Sequence, residues 1–262
     1  MSILDAIIQG IVQGLTEFLP VSSSGHLAIT QHILGAGTGE SNLFFNVMLH
    51  VGTLVAVVAF YHKLVWDLIK EFFLMLKDIF TGKFKWSKMN YNRNLVVMLI
   101  IGLIPLFLLF LPIPGTDMKL KDLADQLSAS PVLIVTACSL ILTSVLLTIG
   151  IICNRKSVAS THKHLATKSN AKATRDNFNV VDAILVGVTQ VCAALLPGLS
   201  RSGSTLSVGE MRGISKQKAL DYTFVLGIPS ILAAALLEGV DAIKSPEGLS
   251  NIEFLPLIIG MA

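Results

Sequence analysis

The chain reads as an all-α, polytopic integral membrane protein built from two inverted-topology repeats, each containing a re-entrant broken helix. Three observations predict this. Charged residues make up 14% and apolar residues 53% of 262, with a mean hydropathy of +0.71, whereas soluble domains carry roughly 25% charged residues. Residues 95–111 and 132–153 hold no charge at all; the second stretch, at about 1.5 Å per residue, is roughly 33 Å long and can cross a hydrocarbon core. Finally, residues 5–20 (D-A-I-I-Q-G-I-V-Q-G-L-T-E-F-L-P) return without a gap at 182–197 (D-A-I-L-V-G-V-T-Q-V-C-A-A-L-L-P). Seven of the sixteen positions are identical, where unrelated segments share about one or two.

The whole of 1–262 forms a single transmembrane domain. Repeat one covers 1–153, a loop covers 154–179, and repeat two covers 180–262. The first motif region, 3–34, opens on a helix cap, Ser2 three residues before Asp5, and is broken by Pro20 and the Ser/Gly run after it. It cannot be a cleaved leader, because it lacks a basic start and recurs inside the chain. A span over 45–61 follows. Residues 62–94 then hold seven cations, among them Lys63, Lys70 and Lys77. After the 95–111 span, loop 112–130 has only Lys119 and Lys121 against three aspartates. The 132–153 span leads to 154–179, with six more cations. The second motif region, 180–206, repeats the cap as Asn179 and Asp182. A span over 220–237 matches 45–61, with Gly227 on Gly52, and 254–262 matches the start of 95–111. The second half thus reads as truncated, short of about two helices.

Loop charge sets the orientation. Two crossings separate the basic loops, so both lie in the cytoplasm and 112–130 lies outside. The second motif then dips in from the cytoplasm and returns, and the first dips from outside. A helix over 3–19 is roughly 25 Å long, more than a half-membrane dip needs without strong tilt, so a full crossing with parallel repeats is the alternative. The net charge of +3 resides in these loops and points to no nucleic acid. Cys138, Cys153 and Cys192 lie in apolar segments without ligand spacing and read as small buried hydrophobes.

An ionisable side chain within hydrocarbon is costly and marks function by default. Glu17, His26 and Arg201 stand out, because all three sit at the two repeat breaks. Beside them lie Ser22, Ser23, Ser24, Ser200, Ser202, Ser204 and Thr205. A carboxylate, an imidazole, a guanidinium and hydroxyls on Gly-rich backbone describe a phosphate site, since guanidinium binds phosphate oxygens in a fork. Helix N-termini after the breaks aim N–H groups at an anion. Ser23 is a candidate nucleophile, with Glu17 or His26 as its base or acid, and direct attack by water is the alternative. Any one hydroxyl alone would more simply bond a neighbouring helix. His32, His50 and His62 fall near expected helix ends and are weaker candidates, and His162 and His164 lie in a charged loop. Gln13 and Gln190 match in the repeat and read first as interhelical hydrogen-bonding groups.

Gln13-Gly-Leu-Thr-Glu17-Phe-Leu-Pro-Val-Ser-Ser-Ser-Gly-His26 and Pro197-Gly-Leu-Ser-Arg-Ser-Gly-Ser-Thr205 resemble the two signature motifs of undecaprenyl-diphosphatase, the bacitracin-resistance type, over nearly the whole chain. The resemblance implies hydrolysis of undecaprenyl pyrophosphate to the monophosphate and inorganic phosphate, recycling the lipid carrier of bacterial wall synthesis. It assigns catalysis to Glu17, Ser23, His26 and Arg201. Substrate binding falls to Gln13, Ser22, Ser24, Gly25, Ser200, Ser202, Gly203 and Thr205. Gln13 stands where the family has Glu or Gln, so it supplies no second carboxylate. The resemblance further implies a divalent cation, usually Mg²⁺ or Ca²⁺, and a site on the outer side of a bacterial plasma membrane; Glu17 is the candidate to hold part of that cation, and a homodimer is a candidate assembly. The acid-phosphatase-like lipid phosphatases need a Lys-x6-Arg-Pro motif that is absent, and a histidine where Ser207 stands.

Two rivals come from other classes. Inverted repeats with broken helices are also transporter architecture, so a flippase of a phosphate-bearing lipid is one. A non-catalytic lipid-binding membrane protein is the other.

Overall fold

The computed structural model describes residues 2–35, 40–86, 89–129, 133–167, 175–244 and 254–262. These form α1 (Ile3–Phe18), α2 (Ser23–Leu34), α3 (Glu40–Phe60), α4 (His62–Phe80) and α5 (Tyr91–Leu103), followed by a 3-10 segment (Ile104–Phe110). They continue with α6 (Leu120–Ala129), α7 (Ile134–Thr167), α8 (Val180–Leu195), α9 (Arg201–Met211), α10 (Lys216–Lys244) and α11 (Phe254–Met261). No strand occurs among the described residues.

Local chemistry explains where the repeated helices start and stop. Ser2 and Asp5 bond each other's backbone N–H at 3.1 Å in both directions, and Asn179 and Asp182 do the same at 2.9 and 3.0 Å. Two otherwise unpaired N–H groups are satisfied in each capping box. Both helices end two residues before a proline, Pro20 or Pro197, which has no N–H to continue the ladder.

Several segments differ from the sequence reading. The 95–111 span is two pieces, because Pro105 removes a main-chain donor and the chain tightens into the 3-10 segment. The 62–94 loop contains α4, turned 86° from α3. Loop 112–130 contains α6. Helix α7 continues well into 154–179, whose later residues, with 36–39 of the expected outer loop, lie partly outside the described ones. In α4 and α6, charges placed on one helix face looked like loop. Cys138 and Cys192 are exposed, not buried, because their helices turn them outward.

Tyr91–Phe110, Ile134–Arg155 and Lys216–Asp241 are long and apolar enough to cross a membrane. Large apolar side chains such as Ile11, Val55, Ile141 and Leu236 are well exposed, as lipid-facing residues are. The chain is a multi-pass membrane protein. Helices α1 and α8, 16 residues each, are about 24 Å long and shorter than the ~30 Å core.

Two cores hold the helices. One joins α4, α5, α8, α9 and α10 around Tyr222, which stacks on Phe178 at 4.0 Å and donates its hydroxyl to the Met98 carbonyl at 2.7 Å. The other joins α1, α2, α3 and α11 through Ala6, Leu27, Phe45, Leu49 and Leu257. At the foot of α8, the fully buried Asp182 meets Arg212 Nε at 2.7 Å and Arg175 Nη2 at 3.1 Å. This ties α8 to the far end of α9.

Candidate active site

The two breaks fold alike. Ser22 caps α2 and accepts from Gly25 N at 3.2 Å; Ser200 caps α9 and accepts from Gly203 N at 2.9 Å. Each cap hydroxyl also meets the serine two residues on, Ser22 with Ser24 at 3.3 Å and Ser200 with Ser202 at 3.4 Å. In this register Ser23 and Arg201 are equivalent: each is the first residue of its half-helix. Ser22 adopts φ 75°, an arrangement that costs a non-glycine residue on the order of 1 kcal/mol or more and is typical of functional sites.

The two half-helices meet at one carboxylate. Glu17, at the end of α1, accepts from Ser23 Oγ through Oε2 at 2.6 Å and from Arg201 Nη2 through Oε1 at 3.1 Å. Gln13 Nε2 donates to the same Oε2 at 3.2 Å. Glu17 and Ser23 are each only 7% exposed. An unpaired charge would be unstable there, and the Glu17–Arg201 pair joins residues from opposite halves of the chain. The other guanidinium nitrogen of Arg201, Nη1, donates to Ser230 Oγ on α10 at 3.1 Å.

Beside this pair a cavity of about 800 Å³ is lined at one end by Glu17, Ser22, Ser23, Ser24, Ser200, Arg201 and Ser202. Much of the remaining lining is apolar, including Leu106, Phe107 and Phe110 of the 3-10 segment and Ile231 and Leu236 of α10, and α6 adds Lys121 and Asp125 beside Glu238. A polar end on an apolar trough suits an amphiphile with a charged head.

Five sequence-selected residues do not line this cavity. Gly25 and Gly203 pack break against break: a Cβ on Gly203 would lie 2.5 Å from the Pro20 carbonyl, and one on Gly25 3.1 Å from Gly198 Cα. Thr205 bonds Thr223 at 3.2 Å, a helix-to-helix contact. Gln13 reaches the site only through Glu17 and Thr53. Its counterpart Gln190 lines the cavity and donates to the Gly102 carbonyl at 3.2 Å, the interhelical role expected of both. His26 turns away from the carboxylate and donates Nδ1–H to the Ser22 carbonyl at 2.7 Å.

The imidazole next to Ser23 belongs to His50 instead. Its Nε2 is 3.3 Å from Ser23 Oγ and 3.5 Å from Glu17 Oε2, while its Nδ1–H is fixed on the Asn46 carbonyl at 2.7 Å. The 45–61 window placed His50 near a helix end; α3 starts earlier, so the residue lies mid-helix. An ionisable group inside an apolar span is the signal that picked out Glu17 and Arg201, and it applied here too. Thr143 of α7 also had no sequence signal. It accepts from Ser200 N at 3.0 Å and donates to the Gly198 carbonyl at 3.3 Å, bracing the second break.

A buried carboxylate joining a serine hydroxyl to an arginine, beside a second imidazole, can activate an oxygen nucleophile against a phosphorus centre. Comparison with known proteins agrees. Residues 6–262 match the family model described as bacitracin resistance protein BacA. The chain is 35% identical over 99% of its length to an undecaprenyl-diphosphatase of Bacteroides thetaiotaomicron, covering 84% of that protein. It is 38% identical over its full length to one of Alkaliphilus metalliredigens, covering 84%, and 37% identical over 99% to one of Methanobrevibacter smithii, covering 83%. By sequence match, and with its paired motifs converging on one carboxylate, the chain belongs to the bacitracin resistance protein BacA family.

Proposed function

We propose that the chain hydrolyses undecaprenyl pyrophosphate to undecaprenyl phosphate and inorganic phosphate, regenerating a lipid carrier for bacterial cell-wall synthesis. The observation that carries this is the Ser23–Glu17–Arg201 chain of contacts at the polar end of an apolar cavity. The pyrophosphate lies against Arg201 and the Ser22–Ser24 and Ser200–Ser202 pairs, and the first prenyl units follow the trough. The rest of the tail stays in lipid.

Ser23 Oγ attacks the terminal phosphorus while its proton passes to Glu17 Oε2, already its acceptor. The bond to the bridging oxygen breaks, undecaprenyl phosphate leaves with the electron pair, and a phosphoserine remains. Water then attacks that phosphorus, the Oγ–P bond breaks, and Ser23 recovers its proton as phosphate departs. Arg201 balances charge on the phosphoryl oxygens, which is the main requirement of such transfers. His50 keeps Nε2 toward Ser23 and Glu17 and orients both.

The residues present suit a divalent cation, Mg²⁺ or Ca²⁺, bound largely through substrate oxygens. Glu17 is the carboxylate, and Gln13 Oε1 is a buried oxygen with no partner. Such a cation commonly takes one or two carboxylates and completes its shell with phosphate and water. When bound, it supplies further charge neutralisation.

We also infer inverted repeats with re-entrant motifs, in a bacterial plasma membrane, with the site open to the outer side. The short α1 and α8, and the two half-helix N-termini meeting at one cavity, support the topology. The cavity lining from α6 supports the sidedness, because α6 lies in the cation-poor loop 112–130. The mechanism is complete within one copy of the chain. Transport alone is not favoured, since the relatives carry an enzyme name. Release of inorganic phosphate from the long-chain pyrophosphate by purified protein, with and without chelator, tests the reading. No release under either condition overturns it.

A further inference from the structure

Helix α4 takes no part in the cavity, yet its surface is organised in sectors. At 3.6 residues per turn, Leu64, Leu68 and Met75 share one side and pack into the larger core. Trp66, Ile69, Phe73 and Phe80 form a separate apolar stripe, and all four are exposed, Phe80 to 86%. Along one edge of that stripe runs a row of lysines seven residues apart, Lys63, Lys70 and Lys77. Beyond them lie Asp67, Glu71 and Asp78. Glu71 and Asp78 are neutralised from within by Arg93, at 3.1 and 2.7 Å. Lys70 meets Asp67 at 3.9 Å and lies 5.3 Å over the Trp66 ring; among the described residues Lys63 and Lys77 have no ion pair.

The 86° turn after α3 lays this helix across the direction of α3. With α3 entering the bilayer, α4 runs along its surface, on the side of the cation-rich 62–94 segment. An apolar aromatic stripe edged by a row of lysines, two of them without an ion pair among the described residues, matches the boundary between acyl chains and phosphate headgroups.

We propose that α4 is an interfacial helix that binds anionic phospholipid. Its stripe seats on the acyl chains, and Lys63, Lys70 and Lys77 collect headgroup phosphates of the cytoplasmic leaflet. Three lysines held at the surface attract anionic lipid by about fivefold each at low salt. This does not depend on the catalytic reading.

The test uses the full chain carrying W86F, which leaves Trp66 as the sole tryptophan, reconstituted in phosphatidylcholine with and without phosphatidylglycerol. Acyl-brominated lipid should quench Trp66 strongly. Spin-labelled phosphatidylglycerol should be retained at the protein surface several-fold over spin-labelled phosphatidylcholine. Adding K63Q/K70Q/K77Q should abolish that preference while quenching and phosphate release in phosphatidylcholine persist. An unquenched Trp66, or a lipid preference unchanged in the triple variant, overturns the proposal.

Discussion

Gly227→Ala separates the site from the fold more cleanly than any change to a reacting group. Gly227 lies on α10 behind the Arg201 guanidinium, where an added Cβ would stand 2.6 Å from Nη1. The helix itself gains, because alanine is favoured over glycine in a helix interior by about 0.5–1 kcal/mol. The obstructed group is the end of a flexible side chain, so it moves and the backbone does not. Restoring an ordinary contact of roughly 3.5 Å pushes the guanidinium by about 1 Å. The Nη1 bond to Ser230 and the Nη2 bond to Glu17, both 3.1 Å, cannot both survive that shift. A misplacement of this size costs about 10²-fold in rate, equivalent to roughly 2.7 kcal/mol of transition-state stabilisation. Phosphate release from undecaprenyl pyrophosphate should therefore fall about 100-fold, while the thermal midpoint in detergent stays level or rises. Wild-type turnover with normal stability would refute the role given to Arg201's position.

Other perturbations probe the remaining contacts. Arg201→Lys keeps the charge but not the planar fork that spans Glu17 and Ser230, so turnover should collapse by at least 10²-fold; near wild-type kcat/KM would remove Arg201 from direct phosphate binding. Ser23→Ala should lower the rate by several orders of magnitude, with a phosphoserine trapped by acid quench of the wild type; a loss of only about 5- to 150-fold and no adduct would mean direct attack by water. At position 50 a glutamine still offers one polar group toward Ser23 and Glu17, so His50→Gln should retain far more activity than His50→Ala; equal loss in both would show that the imidazole itself is required. Asp182→Asn removes a buried charge shared by two arginines and should cost about 2–4 kcal/mol of stability with kcat nearly unchanged, read by thermal unfolding beside the phosphate assay. Partial exposure of both arginines keeps the loss below that of a fully buried pair.

What was legible in the sequence is what depends on neighbours along the chain. Charge-free runs required lipid, whatever packs against them. The prolines at 20 and 197 ended their helices, and the Ser-x-x-Gly runs after them capped the next ones, because these bonds reach only three residues. Glu17, Ser23 and Arg201 stood out for the same reason: a charge or a hydroxyl at a helix break in an apolar context needs a partner there. Helices α4 and α6 were missed because amphipathic charge, read without rotation, resembles a loop.

Which imidazole lies beside Ser23 rested on tertiary structure. His26 is three residues from Ser23 and His50 twenty-seven, yet the Ser22 carbonyl captures the first ring while the packing of α3 on α1 delivers the second. Gly25 and Gly203, read from the sequence as substrate-binding, bring two chain breaks within contact of each other. The cavity belongs to no single segment. Its polar end comes from both repeats, and the rest of its lining from the 3-10 segment, α10 and α6. A helix period tells which residues share a face; only the packed bundle decides what that face meets.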